Sequence, residues 1–186
     1  MSTDPRTART RSRTLDAAFQ LLGEEGLEST TVERIAECAG VHKTTVYRHW
    51  PEREDLLADA LEANMDPAPI HDSGDVRNDL VAAMTGLART ISTPPWSVLL
   101  PSLIAASTRD ERLAGLHRQF TERRRQATVE LVERAKARGE LSAHLDAGHL
   151  VETLAGAVVY RQLMLHERSD RSYIEHHVDH VLRAAR

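Results

Sequence analysis

AGVHKTTVYRHWPERE, residues 39–54, crowds hydroxyls, a lysine, two arginines, two histidines and two large aromatics into a few turns of chain. Gly40 and Pro51 bracket a segment with room for one short helix over 42–50, because a residue before proline is pushed out of the α region. At ~100° per residue, Val46 and Trp50 fall on one side of that helix, which must be the core side. Thr44, Thr45 and Arg48 then point outward, Tyr47 and His49 lie on opposite flanks, and Lys43 stands at the leading tip. No acid lies on the outward face.

Just upstream, TTVE at 30–33 fits a capping box, with Thr30 accepting from the backbone and Glu33 reaching back. It opens a short helix whose Val32, Ile35 and Ala36 face inward, and AGV at 39–41 forms the turn. Two short helices joined by a glycine turn make a helix-turn-helix, in which the first braces the second and the second enters the major groove of duplex DNA. The side-chain chemistry suits that task. A threonine offers a hydroxyl and a methyl to a base edge, a lysine reaches guanine acceptors, and flanking donors rest on phosphates. An ordinary solvated helix would explain the polar face alone, but not the capped helix, the glycine turn and the acid-free face together.

The net charge of −4 hides local asymmetry. Residues 1–13 carry Arg6, Arg9, Arg11 and Arg13 against Asp4, a net of +3, and residues 42–50 carry Lys43 and Arg48 with no acid. Residues 52–64 hold a net of −4. Basic material therefore sits in an N-terminal arm and in the candidate reading helix. The lone Cys38 cannot form an internal disulfide and is expected to be a small buried hydrophobe. No apolar run approaches the ~20 residues of a membrane span, and the N-terminus lacks the apolar stretch of a secretory signal, so a cytoplasmic protein with no membrane partner is expected.

Elsewhere apolar residues recur at three- and four-residue intervals, which predicts an all-α chain of about nine helices. The first covers 9–25, with Leu15, Ala18, Phe19 and Leu22 on one face and Gly26 as its stop. A fourth, near 52–64, carries Leu56, Leu57 and Leu61. The Pro- and Gly-bearing segment 65–75 reads as a break between units. Helices are expected beyond it near 76–91, 96–108, 111–138, 146–167 and 170–185, the second starting late or kinked because of Pro101.

Residues 13–61 resemble the DNA-binding domain of TetR-type transcriptional repressors. The marks are the aliphatic face with Phe19, Gly26, Thr30–Thr31, Ile35–Ala36, Ala39–Gly40–Val41, Thr45, Tyr47, His49, an aromatic at Trp50, then Arg53, Glu54 and Leu56–Leu57. The resemblance implies that Lys43, Thr44 and Thr45 face bases and that Tyr47, His49 and Arg53 hold phosphates, with Thr31 assisting. His42 stands where a small capping hydroxyl is usual, and Trp50 replaces the usual Phe. With Arg9, Arg11 and Arg13 of the arm and Arg48 of the outward face, these form the candidate DNA-contacting set.

The resemblance further implies a DNA-binding domain over 1–64 and an effector-binding, dimerising domain over 72–186, the latter similar to actinobacterial-type C-terminal domains of the family. A homodimer on a double-stranded operator, released by an unknown small molecule, is the expected arrangement. Leu154 and Val158 on one helix, and Ile174, Val178, Val181 and Leu182 on the last, are the expected dimer face, since two such helices can pair with a partner's two as a four-helix bundle. Met84, Leu87, Trp96, Leu100, Leu103, Phe120, Tyr160 and Met164 are the candidate effector-pocket residues, although most of them also read as plain core. His117 and Arg161 are candidates to orient an anionic group.

His176 and His180 share one helix face at the spacing of metal ligands, but with no nearby Cys or positioned carboxylate they read as polar residues at a dimer rim. No nucleophile stands beside a base and no acid pair is set across a cleft, so the sequence offers no catalytic residues, no cofactor and no metal site.

Overall fold

A computed structural model of the chain describes residues 5–64 and 70–184. The described residues are all-helical: α1 (Pro5–Ser29), α2 (Val32–Ala39), α3 (Lys43–His49), α4 (Arg53–Ala63), α5 (Val76–Ser92), α6 (Trp96–Ala106), α7 (Glu111–Ala137), α8 (Ala147–Val159) and α9 (Arg171–Ala184). A π turn, Tyr160–Met164, extends α8. Two compact units result. One takes the described part of Met1–Asp66 with Pro94–Gln119, the other the described part of Pro67–Thr93 with Phe120–Arg186, so the units interleave along the chain.

In the first unit α1 packs on α2, α4 and α6. Its core is Leu15, Ala18, Leu22, Ile35, Val46, Leu56, Leu57 and Leu61, all nearly or fully out of solvent. Burying a side chain of this size contributes about 1.5–3 kcal/mol. Gly26, at φ 78° and ψ 175°, breaks α1 where the sequence places a stop, although α1 starts earlier than residue 9 and a last short turn follows the break. Arg9, Arg11 and Arg13 therefore lie on a helix, while residues 1–4 of the expected arm fall outside the described residues. Trp96 of α6 sets its ring edge-on to Phe19, 5.9 Å between centroids.

Three local expectations are corrected. The cap of α2 is Thr31, whose Oγ1 accepts from Arg34 N at 3.3 Å, and the fully buried Thr30 instead donates to Gly26 O at 2.8 Å. Helix α6 begins at Trp96 and runs through Pro101, which costs one backbone bond but no late start. The helix expected over 146–167 is α8 up to Val159 and then the π turn, closed by Leu165 N donating to Tyr160 O at 3.2 Å, five residues back.

In the second unit α5, α8 and α9 pack on one another, with Leu80, Leu154, Val158, Ile174 and Val178 buried on them. Asp146 caps α8 by accepting from His149 N at 3.0 Å. Leu154, Val158, Ile174, Val178 and Leu182, expected on a dimer face, are core residues of this unit, between 0 and 6% exposed, and only Val181 is half-exposed. Packing within the chain is what buries these five.

Candidate nucleic-acid interface

The reading helix is held by its two ends. At the front, Gly40 adopts φ 63° and ends α2 with a paired closure: Gly40 N donates to Glu37 O at 3.1 Å and Val41 N to Ala36 O at 3.0 Å. A side chain in that left-handed conformation would be strained, which is why the turn carries glycine. Arg13 reaches across from α1 to donate to Ala39 O. At the rear, Trp50 N closes α3 on Val46 O at 2.9 Å, and the buried indole donates through Nε1 to Asp59 Oδ2 of α4, also at 2.9 Å.

Val46 is 1% exposed and Trp50 4%, so the face opposite is turned to solvent. His42, Lys43, Thr44, Tyr47 and Arg48 are exposed there, and Thr45 and His49 are half-buried. Thr31 is exposed at the start of α2. Tyr47 is 43% exposed, unusual for so large a ring.

The cationic candidates fall into two groups. Among the described residues Arg9, Lys43 and Arg48 make no ion pair. Arg11, Arg13 and Arg53 are tied internally: Arg11 to Asp59, Arg13 to Ala39 O, and Arg53 to Thr30 O at 2.8 Å, to Leu27 O and to Glu54 at 3.0 Å. Arg53 thus braces the start of α4 against the junction of α1 and α2. Asp59 was not singled out from the sequence. The signal for it was the indole at Trp50, a buried N–H that needs an acceptor.

Two families of sequence match this geometry. Residues 15–60 match the model for bacterial regulatory proteins of the tetR family, and residues 70–181 match that for tetracyclin repressor-like C-terminal domains. The chain belongs to the TetR family. Similar proteins include the HTH-type transcriptional regulator YdeS of Bacillus subtilis, 34% identical over 91% of this chain and 86% of that protein. The DNA-binding transcriptional repressor TetR of Mycobacteroides abscessus is 33% identical over 93% and 92%. The crystal structure of the TetR family transcription regulator SCO0332 aligns with a TM-score of 0.75 at 33% identity, covering 96% of this chain and 99% of that one. As a TetR-family member the protein is a DNA-binding transcriptional regulator.

The candidate effector-pocket residues are divided between the two units. Trp96, Leu100 and Leu103 belong to the first unit, and Leu103 is fully buried. In the second unit Met84 and Phe120 are buried and Leu87 half-buried, while Tyr160 and Met164 stand 58% and 63% exposed, too open to line a cavity. A groove of about 420 Å³ in that unit runs among Asp75, Arg77, Glu140, Leu141, Asp179 and Arg183 and contains none of the candidates. Its acids are already spoken for: Arg77 grips Asp179 with two bonds of 2.6 and 2.8 Å and holds that carboxyl below its ordinary range.

Arg161 is also engaged, paired with Glu167 at 2.7 Å and laid over the Tyr173 ring at 4.4 Å. His117 is half-buried, and burial lowers its pKa. Arg124 was overlooked in the sequence. It is half-buried over the Phe120 ring at 5.7 Å, and its guanidinium makes no hydrogen bond or ion pair among the described residues. Burial lowers its pKa with no acid to offset the effect. Cys38, expected to be buried, is exposed. Among the described residues no helix is long and apolar enough to cross a membrane.

Proposed function

We propose that this regulator is a homodimeric repressor, cytoplasmic and without catalytic activity, that binds a pseudo-palindromic operator through α3 and is released by a small molecule. Residues 1–64 form its DNA-binding domain and residues 72–186 its effector-binding and dimerising domain. The observation that carries this reading is the outward face of α3: Lys43, Thr44, Tyr47 and Arg48 exposed, acid-free and, among the described residues, without an ion pair, on a helix fixed by Val46 and Trp50. Lys43, Thr44 and Thr45 meet bases, with His42 and Arg48 beside them. Tyr47, His49, Thr31 and Arg9 rest on phosphates, and Arg11, Arg13 and Arg53 reach the backbone only by loosening internal bonds.

The dimer face is the outward side of the last two helices, opposite the core residues. On α8 and the π turn it offers Thr153, Gly156, Ala157, Tyr160 and Met164, and on α9 Tyr173, His177, His180, Val181 and Ala184. The exposed Tyr160, Met164 and Leu165 form an apolar patch of the kind that marks association, and Gly156 and Ala157 allow close helix approach. Met84, Leu87 and Phe120 remain the effector-site candidates in the second unit. Arg124 beside Phe120 favours an amphipathic effector with a negative group.

Selection of duplexes from a random pool by the wild-type protein tests this reading. Two symmetric half-sites with centres about 10–10.5 bp apart, or a multiple of it, are expected. An asymmetric site, or a protein that sediments as a monomer at micromolar concentration, overturns it.

A further inference from the structure

Asp59 receives more donors than its place behind the reading helix requires. Its Oδ2 accepts from Arg11 Nη2 at 2.7 Å and from Trp50 Nε1 at 2.9 Å, and its Oδ1 lies 3.6 Å from Arg112 Nη2. Arg112, in the first turn of α7, also pairs through Nη1 with Asp55, one turn before Asp59 on α4. Two carboxylates and two guanidiniums thus balance around one buried indole N–H. The members are not equally free to leave. Trp50 is 4% exposed and fixed, the Asp59 side chain is 25% exposed, and the side chains of Arg11 and Arg112 are 51% and 47% exposed.

Arg11 also lies over the Trp50 ring, 5.6 Å from its centroid, but at an exposed guanidinium both this contact and the ion pair are weak, so Arg11 can be given up cheaply to a phosphate. Once it leaves, Asp55 and Asp59 have Arg112 as their remaining cation, and the firmness of Arg112's hold determines how readily Arg11 departs. We propose that Asp59 is an exchange point that keeps Arg11 in reserve for DNA, and that Arg112 of α7 sets how firmly Arg11 is held. Asp59 and Arg112 are positioning residues that act on DNA binding without touching DNA. The proposal rests on the interface reading above and adds to it a polar link from α7 to the basic start of α1.

The test is a salt series of fluorescence-anisotropy titrations on a labelled 30-bp random-sequence duplex. It compares the full-length wild type with Asp59→Asn, Arg112→Gln and Arg11→Ala, and with each of the first two combined with Arg11→Ala. Arg11→Ala should flatten the slope of log K against log salt by about 0.9 for each phosphate that is no longer neutralised. Asp59→Asn keeps an oxygen for the indole but loses the charge that retains Arg11, so it should bind about two- to fivefold more tightly, and Arg112→Gln about two- to fivefold more weakly. Both changes should vanish in the Arg11→Ala background. Equal shifts in the two backgrounds would mean a general field effect and would overturn the exchange, as would an unchanged slope for Arg11→Ala. Should Asp59→Asn fail to melt as a folded protein, the exposed Arg112→Gln carries the same test. A wild type that bound no duplex would bring down the interface reading and the exchange together, an outcome distinct from normal binding with no dependence on Arg11.

Discussion

Helix α3 is seven residues long and takes its orientation from two anchors, Val46 within it and Trp50 just after it, whereas α8 and α9 are 13 and 14 residues long and carry apolar or small side chains on more than one face. A short helix with one apolar pair has a single way to lie against its neighbours. A long helix with two usable faces can turn either one inward, and packing with the rest of the unit decides. In α8 the core takes Leu150, Val151, Leu154 and Val158, leaving Gly156 and Tyr160 outside. Met164, four residues beyond Tyr160, lies on the same side of the chain and is exposed with it.

The sharpest way to break this contrast is a charge on each face of α8. Leu154→Asp places an unpaired charge at a site with no exposure and should cost about 3–5 kcal/mol, seen as a large fall in the urea midpoint. A folded, stable monomer from that variant would return Leu154 to the interface. Met164→Asp, on a side chain 63% exposed, should leave folding stability within about 0.5 kcal/mol and yet shift sedimentation from dimer to monomer. An unchanged dimer would place the contact elsewhere.

In the first unit the corresponding test is finer. Thr31→Ala removes the oxygen that caps α2 and should lower thermal stability by about 1 kcal/mol. No loss would mean that the capping bond contributes nothing in solution.

How far the residues foretold these outcomes depends on the same contrast. The inward side of α3, the glycine turn and the leucines of α4 were legible because each depends on spacing within a few residues. Thr30 and Thr31 were not separable in that way. Either hydroxyl could cap α2, and the choice is made by the break at Gly26, which offers its carbonyl to Thr30. The carbonyl partners of Arg13 and Arg53 lie 26 residues away or nearly so, beyond any local pattern. Leu154, Val158, Ile174, Val178 and Leu182 are buried within the chain, because apolarity identifies a buried face without saying whether the neighbour that buries it is the same chain or another. The effector residues were drawn from helices that belong to two different units, a division that chain order conceals.

In the proposed reading the outward face of α3 reads sequence from its tip and holds the backbone from its flank. That reading is tested most directly by measuring, for Lys43→Ala and Tyr47→Phe, affinity on a duplex selected by the wild type and on each single-base change of that duplex. Lys43→Ala should cost about 1–3 kcal/mol on the selected duplex and flatten the preference at one base pair in each half-site, while Tyr47→Phe should weaken every duplex by the same factor. A preference altered by Tyr47→Phe and untouched by Lys43→Ala would reverse the two roles.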